Sequence, residues 1–309
     1  MTVTAAPERA PADKQIGGNA RAALSRGVER LTGAGAPSPG LSAELLLLHV
    51  LNRDRSWLYA HPEHLLDAAE ATRYAAFIEQ RAAGVPTQYL TGRQEFWGLD
   101  IEVNPSVLIP RPETEHLIEV ALELLAARRS EPLDIADVGT GSGCIVAALA
   151  HEFSRARAVA TDVSAPALEV ARRNADRLGM ATRIQFAQMN WLEGYLTSEA
   201  ADDSGTCFDL IVSNPPYIGT DDAHALPDEV RDHEPSEALY GGPAGIDAYG
   251  PLVAQAERLL RPDGWLILEL GHGAARRVQS LIDGRLCWAD VSVTNDLAGI
   301  PRVLSARRT

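Results

Sequence analysis

The run Ser213-Asn214-Pro215-Pro216-Tyr217 carries the most specific chemistry in the chain. Pro215 keeps Asn214 out of the right-handed helical region, and two successive prolines fix an extended tip whose carbonyls have no proline N–H beside them. A rigid loop terminator would need only the prolines, not Asn before them and Tyr after. A planar NH2 group accounts for the whole set. Its nitrogen is a poor nucleophile because the lone pair is delocalised, and no side chain readily deprotonates it at neutral pH. If the Asn214 side-chain oxygen and the Pro215 carbonyl each accept one N–H, both hydrogens are held and the lone pair is aimed at a methyl group presented by a cofactor. Pro216 stiffens the tip, and Tyr217 packs on the planar group. Such orientation can remove roughly 7 to 11 kcal/mol of barrier. Neither general base nor metal is then needed before transfer, and the proton leaves afterwards from an already cationic nitrogen.

A second set of residues would hold that cofactor. Asp137-Val138-Gly139-Thr140-Gly141-Ser142-Gly143 joins an apolar strand to a helix beginning at Cys144. Glycines there permit a sharp turn and close approach of a ligand to helix N-terminal amides. The dinucleotide fingerprint would require glycine where Cys144 stands, which argues against a dehydrogenase. The next strand ends at Asp162, whose carboxylate can accept from two ribose hydroxyls or cap the following helix. Asn190-Trp191 closes the third strand region, with an indole that packs on adenine or fills the core. In this order the three features are those of an adenosyl ligand lying across strand tips, and they resemble the seven-stranded methyltransferases that use S-adenosylmethionine.

The elements that must position these residues are legible in outline. Residues 1–18 read as a flexible tail rich in Ala, Pro and Gly. Helical spacing begins at Asn19. A second apolar helix, with Ser42 as its cap, reaches Leu51, and further helices lie near residues 56–60 and 66–83, so residues 19–83 form a small all-helical domain. Residues 84–110 read as a linking β-hairpin. Beyond it, residues 111–309 alternate strand and helix, starting with one amphipathic helix over residues 112–129. The strands are expected over 133–138, 156–161, 183–187, 208–213 and 265–270, in a parallel sheet covered on both faces. Residues 287–294 and 301–306 are separated by too short a turn for a crossover and must end the sheet as an antiparallel hairpin.

Composition narrows the function. The chain has 309 residues and a net charge of -14, and residues 111–309 hold 18 basic against 30 acidic side chains. A surface that neutralises phosphates should be basic, so no direct nucleic-acid target is expected. Cys144, Cys207 and Cys287 are too scattered for a disulfide scaffold, and the eight histidines form no metal motif, so a reducing cytoplasm and no metal are expected. No apolar stretch approaches a membrane span. A monomer is expected.

Further segments narrow the resemblance. Arg93-Gln94-Glu95-Phe96-Trp97-Gly98, Leu108-Ile109-Pro110-Arg111-Pro112-Glu113-Thr114-Glu115, the glycine loop, Ser213 to Tyr217, and Glu234-Pro235 with Gly241-Gly242 and Gly245-Ile246-Asp247 together resemble the peptide chain release factor glutamine methyltransferases, the PrmC/HemK family. The resemblance covers nearly everything after residue 19. It implies an α/β fold: a seven-stranded Rossmann-like S-adenosylmethionine-dependent methyltransferase domain, a small N-terminal all-helical domain that grips the substrate, and a linking β-hairpin. It implies methyl transfer to the side-chain amide nitrogen of the glutamine in the Gly-Gly-Gln loop of bacterial class I release factors. Gly139, Thr140, Gly141, Ser142 and Gly143 would then line the methionine part of the cofactor, Asp162 the ribose and Trp191 the adenine side. Asn214, which also borders the cofactor, Pro215, Pro216 and Tyr217 would hold the glutamine amide. One position departs: the family commonly has an acid before the tryptophan, where this chain has Asn190, whose carbonyl oxygen would face the adenine amino group. A nucleic-acid amino-methyltransferase meets the same NH2 problem, but the charge balance opposes it. A non-catalytic adaptor would have no need of the complete Asn-Pro-Pro-Tyr set.

Overall fold

The structure, a computed structural model, describes residues 18–197 and 208–309. The tail read over residues 1–18 lies outside the described residues except for Gly18, as does Cys207. The chain divides after Thr91 into two compact units.

In the first unit the helices are Ala20–Gly33, Pro39–Leu51, Arg55–Ala60, Ala68–Ala82 and Thr87–Thr91. Their starts follow from local chemistry. Asn19 and Asp54 accept backbone N–H groups of Ala22 and Trp57, and Asp67 with Glu70 forms a reciprocal capping box. Ser42 does not cap the second helix. Pro39 starts that helix three residues earlier, where a missing N–H costs nothing, and Ser42 is buried inside it, with its hydroxyl accepting from Thr87. Leu31, Leu46, Leu47, Leu58, Tyr74 and Ile78 form this unit's core.

The second unit opens on a hairpin, β1 (Arg93–Phe96) and β2 (Leu99–Glu102), in antiparallel register from Arg93 opposite Glu102 to Phe96 opposite Leu99. Trp97 turns the corner at φ 54°, unusual for a bulky residue, and is held there twice: its backbone N–H donates to Glu115 and its indole N–H to Glu152. Fully buried Asn174 joins β2 to the glycine loop that carries Ser142. Its side chain accepts from the Glu102 N–H at 2.7 Å and donates to the carbonyls of Glu102 and Ser142 at 2.9 Å each. The range 84–110 therefore holds the last short helix of one unit and the first hairpin of the next.

The remaining strands are β3 (Asp134–Val138), β4 (Arg157–Asp162), β5 (Ile184–Gln188), β6 (Phe208–Ser213), β7 (Leu260–Glu269), β8 (Trp288–Asn295) and β9 (Pro301–Arg308). Among the described residues they form one seven-stranded sheet in the order β5-β4-β3-β6-β7-β9-β8, parallel from β5 to β7 and antiparallel in the pairs of β9 with β7 and β8. The terminal hairpin and the parallel body are as the sequence pattern anticipates. All six residues of β6 are buried, as a strand covered on both faces must be. Ala136, Ile211, Leu266 and Leu268 pack with Tyr249, Leu252 and Val253 of the helix Tyr249–Leu259, while Ile135, Val212 and Ile267 occupy the alternate positions and are equally buried. The helix expected over residues 112–129 is broken into a 3-10 turn Pro112–Thr114, the α-helix Glu115–Leu124 and a second 3-10 turn Ala126–Arg128. Strand order reverses between β3 and β6, and the crevice beyond their carboxyl ends is where open α/β sheets bind ligands.

Candidate active site

Two loops meet at that crevice. Ser213, the last residue of β6, donates its hydroxyl proton to the Val138 carbonyl at the end of β3, 2.6 Å away, and so ties the two strand tips together.

The first loop follows β3. Gly139, Gly141 and Gly143 have φ of 73°, 54° and 79°, where a side chain would be strained. The N–H groups of Gly139 and Thr140 both donate to the Thr161 carbonyl at 2.9 Å, which folds the loop over the tip of β4. A Cβ on Gly143 would lie 3.0 Å from the Ala171 Cβ, so glycine also lets the helix Ala165–Arg177 pack close. Asp137, fully buried, accepts from the Thr140 hydroxyl at 2.6 Å and the Val146 N–H at 3.2 Å. Burial pushes its carboxyl up to about 7 against those two hydrogen bonds.

Asp162, at the tip of β4, accepts from the Gly141 N–H through Oδ2 and from the Ser164 N–H through Oδ1, each at 2.9 Å. The helix cap is Ser164, not Asp162. Burial holds the Asp162 carboxyl above its usual range, against the backbone N–H groups of Ser164, Gly141 and Val163. Trp191, at φ 50°, packs on the sheet core and also faces the cavity. Beside it the Asn190 Nδ2 donates to Glu193 at 2.8 Å, which leaves Oδ1 as the acceptor end of that amide.

The second loop follows β6. Asn214 Nδ2 donates to the Thr114 hydroxyl at 3.2 Å. Among the described residues no hydrogen bond reaches the Pro215 carbonyl. The Tyr217 ring packs against Gly271, and its hydroxyl donates to Glu269 at 3.2 Å. Behind the loop, Ile218 pairs with Tyr240: the Ile218 N–H donates to the Leu239 carbonyl and the Gly241 N–H to the Ile218 carbonyl, both at 2.9 Å. A Cβ on Gly245 would meet the Tyr217 carbonyl oxygen at 2.1 Å, so only glycine allows this approach. The segments before and after are fastened by the Arg111–Glu234 ion pair, with the buried Glu234 carboxylate also accepting the Ile109 N–H.

One cavity is lined by Gly139, Thr140, Gly141, Ser142, Asp162, Trp191, Asn214 and Pro216 together. Gly143, Pro215 and Tyr217 are not among the residues that line it; Gly143 sets helix packing, and Tyr217 is anchored on Glu269. Thr114, Glu234 and Glu269 escape sequence reasoning. Only the segment around Thr114 and the Glu234-Pro235 pair gave a signal, and neither disclosed a contact. Among the described residues no group of His, Cys, Asp and Glu side chains could hold a metal ion, and no helix is long and apolar enough to cross a membrane.

This strand order, with a glycine loop after the first parallel strand and Asn-Pro-Pro-Tyr after the fourth, defines a Rossmann-like methyltransferase. A family model described as a methyltransferase domain matches residues 130–292, and one described as the PrmC N-terminal domain matches residues 22–92. The hMettl16 catalytic domain, solved in complex with the MAT2A 3'UTR hairpin 6, shares the fold alone, with a TM-score of 0.53 and 17% identity over 73% of this chain and 80% of that one. The chain belongs to the release factor glutamine methyltransferase family. The release factor glutamine methyltransferase of Koribacter versatilis is 44% identical over 93% of this chain and 97% of its own length, and that of Moorella thermoacetica is 44% identical over 93% and 98%.

Proposed function

We propose that the protein transfers a methyl group from S-adenosylmethionine to the side-chain amide nitrogen of the glutamine in the Gly-Gly-Gln loop of bacterial class I peptide chain release factors. The observation that carries this reading is the meeting, in one cavity, of the glycine loop and Asn214 at the tips of β3 and β6. The residues fit such a donor: the glycine loop leaves room for close approach, the Asp162 carboxylate lines the cavity where a ribose hydroxyl would donate to it, and Asn190 presents Oδ1 beside Trp191 for an adenine amino group.

When bound, the cofactor supplies a methyl group on a cationic sulfur. The chain supplies position. Gly139 to Ser142 line the methionine part, Asp162 the ribose and Trp191 the adenine. With its Nδ2 committed to Thr114, Asn214 offers Oδ1 to one amide hydrogen of the substrate, and the Pro215 carbonyl, outside the cavity lining but with no hydrogen bond among the described residues, takes the other. The amide is held at both hydrogens, so its nitrogen lone pair points away from the protein acceptors and toward the methyl group. Pro216 and Tyr217 fix the loop: the Tyr217 ring lies against Gly271, and its hydroxyl on Glu269 resists rotation. Burial keeps the Tyr217 phenol protonated at neutral pH and therefore a donor.

In this reading residues 19–83 grip the release factor, residues 84–110 link, and residues 111–309 catalyse, as a cytoplasmic monomer. A net charge of -14 suits a protein partner better than a polyanion. The test is labelling by purified protein and radiolabelled S-adenosylmethionine. A release factor should take up label and lose it when the loop glutamine is replaced; preferential labelling of duplex DNA or ribosomal RNA would overturn the assignment.

A further inference from the structure

Trp191 has a left-handed backbone, at φ 50°, which a bulky side chain adopts only where its surroundings hold it. Three hydrogen bonds fix the chain around it. Before it, the Met189 N–H donates to the Asp162 carbonyl at 3.0 Å and ties the segment to the tip of β4. Across it, the Glu193 N–H donates to the Asn190 carbonyl at 3.1 Å and closes a turn over residues 190–193. After it, the Leu192 N–H donates to the Gln255 Oε1 at 2.7 Å. The first two bonds are made by the segment itself and the strand beside it. The third partner stands 63 positions away in sequence, on the helix Tyr249–Leu259.

Gln255 differs in kind from its neighbours. Leu252, Val253, Ala256 and Leu259 of the same helix pack into one apolar core with Leu192, and Gln255 is itself buried. A buried amide costs stability unless its polar atoms are bonded, and an apolar side chain would extend the core at that position. The orientation of this amide follows from its partner. A main-chain N–H only donates, so the atom that meets it must be the oxygen. With Leu192 held against the core, Trp191 stays between core and cavity, packing on the one and lining the other.

We propose that Gln255 is a positioning residue for the adenosyl end of the cofactor: by accepting the Leu192 N–H it holds Trp191 in the left-handed conformation that presents the indole to the cavity. The proposal rests on the reading of Trp191 as the adenine side of the cofactor site. Without this bond the peptide between Trp191 and Leu192 turns, Trp191 relaxes toward negative φ, and its ring leaves the cavity wall for part of the time. Affinity then falls with the fraction of molecules whose ring is in place, so a fraction of about one tenth weakens binding about tenfold. The loop after β6 that carries Asn214 does not depend on the bond.

The experiment compares wild type with Gln255→Met and Gln255→Glu, each alone and combined with Trp191→Ala, reading S-adenosylhomocysteine affinity by calorimetry, KM for S-adenosylmethionine, kcat and thermal midpoint. Methionine keeps the length of the side chain and removes the acceptor, whereas glutamate keeps the acceptor. Gln255→Met should bind S-adenosylhomocysteine about tenfold more weakly and raise KM for S-adenosylmethionine, with kcat at saturating cofactor within about threefold of wild type. Gln255→Glu should bind within about threefold of wild type. Combined with Trp191→Ala, Gln255→Met should add less than about twofold, because its effect passes through the indole. Wild-type affinity in folded Gln255→Met, equal weakening in the Met and Glu variants, or full additivity with Trp191→Ala would each overturn the proposal. If Gln255→Met does not fold, Gln255→Ala takes its place. A second readout needs no ligand: the indole N–H NMR signal of Trp191, identified by its absence in Trp191→Ala, should move in Gln255→Met and stay in place in Gln255→Glu. If wild type binds no S-adenosylhomocysteine, the cofactor reading fails, and the indole signal alone decides the role of Gln255: an unmoved signal in Gln255→Met overturns it.

Discussion

Gly241 lies so close to Pro216 that a Cβ on it would stand 2.2 Å from the Pro216 carbonyl oxygen. Two segments of backbone thus touch where one carries Asn214, and a methyl group between them must push the loop outward. Gly241→Ala is expected to reduce kcat by about 100-fold, the usual cost of a displacement near 1 Å at a reacting centre. Affinity for S-adenosylhomocysteine, held by the other loop, should change little. Unaltered kcat in the folded variant would show that the loop position is not critical.

Asn214→Ala removes one acceptor and leaves the glycine loop intact. Methyl transfer should fall by at least about 100-fold while calorimetry finds cofactor binding near wild type. Near-normal turnover would remove the amide-clamp mechanism.

Asp137 gives a pH signature in stability. Its carboxyl, pushed up to about 7 by burial, keeps a proton that the unfolded chain has already lost, so the folded state binds more protons between about pH 4 and about pH 7. The stabilisation associated with neutral Asp137 is complete at the acid end and is lost as pH rises through about 7. Asp137→Asn, neutral throughout, should therefore gain on wild type as pH increases. Urea midpoints measured at about pH 5 and about pH 8 should diverge in its favour, and a constant difference would mean that Asp137 is charged in the folded protein.

Asn174 joins β2 to the glycine loop with no exposure to solvent. Asn174→Ala leaves the Glu102 N–H and the carbonyls of Glu102 and Ser142 without that partner, which should cost roughly 3 kcal/mol. Urea denaturation checks this, and an unchanged midpoint would mean that water replaces the side chain. Because the Ser142 carbonyl belongs to the loop proposed to hold the cofactor, S-adenosylhomocysteine affinity should weaken as well.

Much of this was readable in the residues, for physical reasons that also mark the limit. Parallel strands buried on both faces appear as apolar runs, so β6 is found where Phe208 to Ser213 places it, and β3, β4 and β5 within a residue. β7 is not: the strand expected over 265–270 runs from Leu260 to Glu269, with Asp263 at φ 63° and a register shift against β6 absorbing the irregularity. The cavity-lining residues from the glycine loop, Asp162, Trp191, Asn214 and Pro216 were legible because each follows a strand tip. Thr114, Glu234 and Glu269 were not. Each acts on residues at least 52 positions away, and such a contact leaves no local pattern.

The place of β9 in the sheet has a bearing on folding. This strand follows both β7 and β8 in the chain, yet it lies between them and not at an edge. Until residues 301–308 have been made, β7 presents an unpaired flank and β8 has no strand to join, so closure of the sheet waits for them. Loss of residues 301–308 would therefore delete an interior strand and should be as damaging as a lesion in the core.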